Sequence, residues 1–236
     1  MSEKKTGKYF KYALGEIILV MIGILLALQV NNWNEIRKNK YEVHKYLNSF
    51  LSDLTVDSLN YDRMSKYMDR VIEVNNTILR KFKENESINK EDFRDAFETF
   101  TIPPVKGQNS TFNEMQSSGK INLITNDSLK NRILQYYVDY DFNRKVEALN
   151  NSVITNLPIS NKIDINSFIH LNINGIEEVD DLSFEFFNND RDSEEFKEYV
   201  NAISMRSLMS VANNSVYRNG VKQSSELKKE ILNFLK

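Results

Sequence analysis

The sequence contains no cysteine, and its 236 residues include only three prolines, seven glycines, two histidines and one tryptophan. Without cysteine there can be no disulfide, thiolate metal site, cysteine nucleophile or lipid-modified cysteine. The redox compartment stays open, because a cysteine-free chain suits either environment. Between Gly23 and Pro103 there is neither glycine nor proline, so no strong breaker interrupts helix propagation there. The net charge of −2 gives no electrostatic reason for nucleic-acid binding, and no nucleic-acid partner is expected. A G-x-S-x-G nucleophile elbow, a phosphate-cradling glycine loop and a nucleotide fingerprint are all missing.

The residues capable of chemistry are scattered. Neither His44 nor His170 has a carboxylate or a second histidine at a metal-binding helical spacing, and both read as packing or surface residues. Asp139 and Asp141, two apart, point to different faces of a helix. Glu177, Glu178, Asp180 and Asp181 offer oxygens to a hard cation, but without the spacing of a calcium loop they read as a solvated surface. Tyr136, Tyr137, Tyr140 and Phe142, like Phe93, Phe97 and Phe100, fit core packing better than a ligand pocket. The expectation is a protein that is not an enzyme and has no cofactor or metal.

What the sequence does contain is one long apolar run. From Tyr12 to Val30 it reads YALGEIILVMIGILLALQV. Nineteen such residues in a helix span about 28 Å at 1.5 Å each, close to the hydrocarbon thickness of a bilayer. Only Glu16 and Gln29 are strongly polar, and both lie near an end. Tyr12 at the start of the run and Trp33 after it suit the membrane–water interface. A cleaved signal peptide would need small residues at its cleavage site, but Leu28, Gln29, Val30, Asn31 and Asn32 follow Ala27. The chain therefore divides into a short basic tail (1–11), a transmembrane helix (12–30) and a mainly helical extramembrane domain (31–236).

Charge is uneven around this run. Residues 1–45 carry eight Lys or Arg against four Asp or Glu, and the remainder carry 23 against 29. Positive charge so placed favours anionic lipid headgroups. Lysines or arginines flank the run equally, four on each side. Long domains translocate largely regardless of charge, whereas a four-lysine tail resists it. A cytoplasmic tail and a periplasmic domain on the inner membrane follow.

Within the run, Glu16, Val20, Gly23 and Ala27 recur at spacings of four, three and four, which places them on one helix face. Gly23 and Ala27 form a small-xxx-small pair, which lets helix backbones approach closely in lipid. A carboxylate inside a span usually faces other helices or a polar path. This face is the candidate contact with a protein partner or a second copy; the alternative is that Glu16 simply reaches the interface.

After the span, Val43, Leu47, Phe50, Leu54, Asp57, Tyr61, Met64, Met68, Val71, Asn75, Ile78 and Phe82 follow strict 4-3 spacing. That is a long helix with a coiled-coil-like seam, packed either inside its own bundle or against another chain. Asn89 reads as an N-cap for a short helix with Phe93, Phe97 and Phe100 on one face, ended by Thr-Ile-Pro-Pro. Thr111 and Glu114 have the capping-box pattern, and Gly119 suits a left-handed C′ position. A helix opens at Asn126-Asp127-Ser128 and runs to Pro158, presenting Leu129, Ile133, Tyr137 and Tyr140. Residues 158–192 are irregular, with at most a short strand around Leu182–Phe187. A last helix starts near Ser193 with Phe196, Val200 and Ile203, and Gly220 is placed to kink it. The fold class is all-α, a single N-terminal transmembrane helix continuing into a long-helix antiparallel bundle.

FKYALGEIILVMIGILLALQVNNWNEIRKNK (residues 10–40) and STFNEMQSSGKINLITNDSLKNRILQYY (residues 110–137) resemble an uncharacterised family of single-span membrane proteins common in Bacteroidota. The two blocks cover about a quarter of the chain. The resemblance implies architecture and no activity. The functional expectation is a membrane-anchored interaction or assembly subunit, with an extracytoplasmic ligand-sensing bundle as the alternative. A tail of eleven residues is too short to be a folded output domain, so a signal would have to pass sideways to a partner.

Overall fold

The computed structural model describes residues 3–103, 105, 107–157, 169–172, 175–179, 184–185 and 188–236, with backbone alone for 3–13 and for the two short strands. Helix α1 (Glu3–Lys83) is followed by α2 (Lys90–Glu98), α3 (Ser110–Ser117), a 3-10 turn (Lys120–Leu123) and α4 (Asp127–Thr155). Strands β1 (Ile169–Asn172) and β2 (Gly175–Val179) come next, and α5 (Glu194–Phe234) closes the order.

Helix α1 has 81 residues without a break, about 120 Å at 1.5 Å per residue. Its first part is the apolar run, and its second is the spine of the bundle. It stops at Lys83, just before Asn85, whose φ of 56° lies in the left-handed region that asparagine tolerates better than most residues. Arg191 secures this stop by donating to the carbonyls of Phe82 and Glu86.

The 4-3 seam of α1 packs inside its own chain. Eleven of its twelve positions, Val43 through Ile78, are buried, and Phe82 is partly buried. The partner is α5, which runs antiparallel: Ser65 meets Asn214, Asp69 meets Asn214 and Arg218, and Asn76 meets Ser207. Buried positions on α5 repeat the same spacing, with Tyr199, Ile203, Arg206, Ser210, Asn213, Tyr217, Gly220, Ser224, Leu227 and Ile231 turned into the bundle. A hydrophobic pattern search misses this seam because half of it is small or polar.

The apolar core is split in two. One half gathers Leu47, Phe50 and Leu54 with Met115, Ile124, Ile133, Tyr136, Tyr137, Leu227 and Ile231. Here Tyr137 is the hub, stacked on Phe112 at 4.2 Å and edge-on to Tyr136 at 5.1 Å. The other half, at the far end, gathers Ile78, Phe93, Ala96, Phe196, Tyr199 and Ile203. Phe93 stacks on Tyr199 at 5.3 Å, and Phe97 and Phe100 pack partly buried on this cluster. Between the halves lies a polar layer built from Ser65, Asn75, Arg206, Ser207, Ser210, Asn213 and Asn214. Sliding α5 by one heptad would set these groups against aliphatic side chains, so the layer fixes register at a cost in stability.

Caps and turns follow the sequence in most places. Asn89 accepts from the Asp92 N–H at 2.7 Å and Asp92 accepts from the Asn89 N–H at 2.9 Å, a complete capping box. Asn89→Ala is expected to lower stability by about 1 kcal/mol, measured by urea unfolding of the full chain in detergent. Asn126 caps α4 through the Leu129 N–H, and Ser193 caps α5 through that of Phe196. Gly119 adopts a φ of 71° just past α3, as its C′ position requires.

Three expectations are corrected. Helix α3 begins two residues earlier than the Thr111–Glu114 pattern implies, with Asn109 at the cap position and no side-chain cap. Thr111 is buried inside the helix, and Glu114 is drawn away to accept from the Tyr46 hydroxyl at 2.6 Å. Gly220 does not kink α5, which passes through it unbroken. A Cβ there would lie 2.7 Å from the Tyr61 ring, so the glycine serves close packing against α1. The strand expected at Leu182–Phe187 is not found where that stretch is described: Phe184 and Glu185 are helical, and 182–183 and 186–187 lie outside the described residues. The strands pair earlier, antiparallel, from Ile169 opposite Val179 to Asn172 opposite Gly175.

Candidate functional site

The apolar N-terminal part of α1 carries the first candidate. From Leu14 to Val30 its large apolar side chains are exposed, and within the described residues nothing buries the apolar window. It is one helix long and apolar enough to cross a membrane, near the N-terminus. Glu16, Val20, Gly23 and Ala27 are all exposed on it. At 3.6 residues per turn the four lie within an arc on the order of 60°. A Cβ built at Gly23 would touch nothing within 4 Å, so the groove it leaves in the helix surface is open. Trp33 is exposed, with the Arg37 guanidinium 5.5 Å from its ring centroid. That pairing suits a headgroup-level anchor. Tyr12 lies on the α1 backbone, and its side chain falls outside the described residues.

Just beyond the apolar run is a groove of about 410 Å³. Ile36, Lys40, Val43 and His44 of α1 form one wall, and Leu123 with Phe234 of α5 another. Ile36 lies six residues past Val30, roughly 9 Å along the helix axis, so the groove sits where the bundle meets the end of the apolar run. Lys120 stands close by, ion-paired with Glu42 at 2.7 Å and hydrogen-bonded to the Tyr46 hydroxyl. A second depression of about 600 Å³ at the far end is lined by Leu79, Phe82, Arg191, Phe196 and Val200.

The third candidate is a buried carboxylate on the α1 seam. Asp57, 1% exposed, accepts from the Gln108 N–H at 2.8 Å and from the Tyr136 hydroxyl at 3.1 Å. Burial pushes its carboxyl up to about 6, against the smaller opposing effect of these two hydrogen bonds. Nearby, burial also raises the Glu147 carboxyl, which accepts from the Tyr217 hydroxyl at 2.9 Å. Burial and the Asp57 charge raise Tyr61 and Tyr136 further above the ordinary phenol range, so both stay protonated. A Cβ at Gly107 would collide with the Tyr140 side chain, so only glycine fits beside it, next to the Gln108 N–H that donates to Asp57.

Other residues singled out from sequence disperse. His44 lines the groove at the span; the side chains of His170, Glu177 and Glu178, together with Asp180 and Asp181, lie outside the described residues. Asp139 is tied to Gln135 and Gln223 on the α4–α5 contact. Tyr136, Tyr137 and Tyr140 are core, whereas Phe142 is exposed. Among the described residues, no three His, Asp or Glu side chains converge as a metal site. Arg206, the largest fully buried side chain, was not flagged in the sequence. Its signal is its place in the α5 seam, visible only once α5 is set against α1.

The model of one protein family, described as Family of unknown function (DUF6090), matches residues 16–186. The chain belongs to this family. The DUF6090 match opens at Glu16, on the candidate face, and takes in the apolar run from there on, the long seam of α1 and the Asp57–Tyr136 pair. It ends ahead of α5, the helix against which that seam packs. No curated protein and no solved structure matches the chain. DUF6090 membership brings no activity with it, so function has to be argued from the geometry.

Proposed function

We propose that this protein is a single-pass, membrane-anchored interaction subunit of a membrane complex, without catalytic activity of its own. One observation carries the reading: the helix with an uncovered apolar surface is also the spine of the bundle, with no break between the two parts. The bundle cannot swivel on such a span as it would on a loop. Whatever the span contacts in the bilayer is therefore held in fixed orientation to whatever the bundle contacts outside. The exposed face of Glu16, Val20, Gly23 and Ala27 supplies the contact, toward a partner span or a second copy. The span lies in the inner membrane, with the basic tail cytoplasmic and the bundle periplasmic.

In a membrane two-hybrid assay, Gly23→Ile combined with Ala27→Ile is expected to reduce association at least several-fold, because branched side chains hold the backbones apart. Unchanged association would remove this face from the proposal. The direct test is crosslinking and pull-down of the full chain from its native membrane, with Glu16→Gln in parallel. A membrane-spanning partner that is lost on mutation supports the reading; a clean monomer refutes it.

A second reading, ligand sensing by the bundle, is favoured by the groove between Ile36, Lys40, Val43 and Phe234. Its apolar walls and single lysine suit an amphiphile or small organic anion. A metabolite and lipid screen for thermal shifts of the full chain tests it; no shift removes it.

A further inference from the structure

The 4-3 spacing of the α1 seam does not stop at Val43. Counted back toward the apolar run it falls on Lys40, Ile36 and Trp33, and inside the run on Gln29, Leu26 and Ile22. Val43 is buried and shares the groove at this end of the bundle with Phe234 of α5. Lys40, Ile36 and Trp33 are all exposed. The face of α1 that packs against α5 elsewhere is therefore uncovered here, and it leads along one unbroken helix from the run into the groove.

The groove combines apolar walls with basic ones. Ile36, Val43, Leu123 and Phe234 are apolar, Lys40 and His44 are basic, and none of the described residues lining it is a carboxylate. The two carboxylates on this part of α1 are engaged: Glu42 pairs with Lys120 at 2.7 Å, and Glu35 accepts from the Asn31 side chain at 3.5 Å. Lys40 has no ion pair among the described residues. It lies ten residues past Val30, roughly 15 Å along the axis, beyond a headgroup layer on the order of 5–8 Å deep. Helical Cα–Cβ bonds tilt toward the N-terminus, so the Lys40 side chain reaches back toward that layer, as lysines beside a bilayer do. From Ile36 to His44 the α1 wall is roughly 12 Å long, too short to seat a partner helix.

We propose that this groove binds one anionic phospholipid, with its phosphate on Lys40 and the upper part of a chain against Ile36, Leu123 and Phe234. The lipid comes from the leaflet in which the run ends, which rests on the reading of the run as a membrane span; it is also a ligand class for a sensing bundle. Charge selects the headgroup. A zwitterionic lipid brings its own cation to a groove that already holds Lys40 and His44, whereas an anionic one balances the lysine. Continuity selects the chain, because the uncovered seam face gives it an apolar edge to follow out of the bilayer. A bound lipid covers Ile36 and ties Phe234 of α5 to α1 at the membrane end of the bundle.

Trp33 is the only tryptophan in the chain, which makes bromine quenching of its fluorescence the test. The full chain is reconstituted in phosphatidylcholine vesicles carrying a low mole fraction of either phosphatidylglycerol or phosphatidylcholine brominated near the top of its chains. In vesicles made wholly of brominated phosphatidylcholine, Trp33 of the wild type reports whether the run is in the bilayer. In a Trp33→Phe, Phe234→Trp double variant the reporter stands in the groove, beyond the hydrocarbon. Brominated phosphatidylglycerol is expected to quench it strongly, and the same fraction of brominated phosphatidylcholine to leave it bright. Adding Lys40→Gln should raise the phosphatidylglycerol fraction needed by about fivefold. A groove reporter left bright by phosphatidylglycerol while Trp33 is quenched would overturn the lipid site and leave the span standing. Equal quenching by the two lipids, or no effect of Lys40→Gln, would also overturn it. Quenching of neither tryptophan would remove the span and the lipid site together. Should Phe234→Trp fail to fold, Leu123→Trp in the same background takes its place.

Discussion

Gly220→Val is expected to lower the stability of this protein by about 3 kcal/mol, and Gly220→Ala by about 1–2 kcal/mol. At an ordinary helix-interior glycine the alanine change would go the other way, gaining up to about 1 kcal/mol from helix propensity. Here the added Cβ would stand 2.7 Å from one Tyr61 ring carbon and 2.8 Å from two others. Tyr61 cannot step aside, because it is buried and its ring lies 6.3 Å from that of Tyr217. The strain must then pass into the α1–α5 spacing, and the whole seam shares it. Thermal unfolding of the full chain in detergent should show a drop of roughly 6–12 °C for the valine variant. Trimming the ring supplies the control. In a cycle with Tyr61→Leu, the Gly220→Ala penalty should shrink by at least about 1 kcal/mol. Strict additivity would show that the ring is not what excludes a side chain at position 220.

Asp57→Asn should raise stability above pH 7 and flatten its dependence on pH between about 4 and 6. Burial lifts the folded-state carboxyl to about 6 from an ordinary 3.8, so the folded protein holds this proton more tightly than the unfolded chain. The stabilising contribution is then complete below about pH 4, is lost as pH rises through about 6, and is absent above. A shift of this size corresponds to about 2–3 kcal/mol. Asparagine keeps an acceptor for the Gln108 N–H, and the Tyr136 hydroxyl can turn to accept from its amide, so both contacts survive without the charge. Glu147 is raised by burial in the same sense and contributes to both proteins alike. The informative quantity is therefore the difference between wild type and variant in urea midpoints across pH. An equal pH dependence in the two would show that Asp57 is not buried as an acid on this seam.

The seam also shows why half of this architecture could be read directly. On α1, ten of its twelve positions are apolar, and no glycine or proline interrupts them, so periodicity alone marks the buried face. Its two polar exceptions, Asp57 and Asn75, looked like lapses in the pattern and turned out to be its most informative positions. On α5 the same spacing carries Arg206, Ser210, Asn213, Gly220 and Ser224, and a scale of hydrophobicity cannot see it. Thr111 and Glu114 illustrate a different limit. Their capping pattern is locally sound, but the Tyr46 hydroxyl, 68 residues away, claims the carboxylate first. A local motif loses when a distant donor offers a better-aligned, charge-assisted hydrogen bond.

By itself, the sequence determined that this protein is helical, has one helix long and apolar enough to cross a membrane, and runs without a break from that helix into a seam. These features depend on composition and spacing within a single stretch of chain, where neighbours along the helix are neighbours in space. Only the tertiary structure decided which helix the seam packs against, why Gly220 is a glycine, and that Asn75 and Arg206 meet at Thr99. Those outcomes depend on which side chains meet across an antiparallel pair more than a hundred residues apart in sequence. The energies that decide them, the burial of charge and the exclusion of a single methyl group, exist only once the two surfaces have closed.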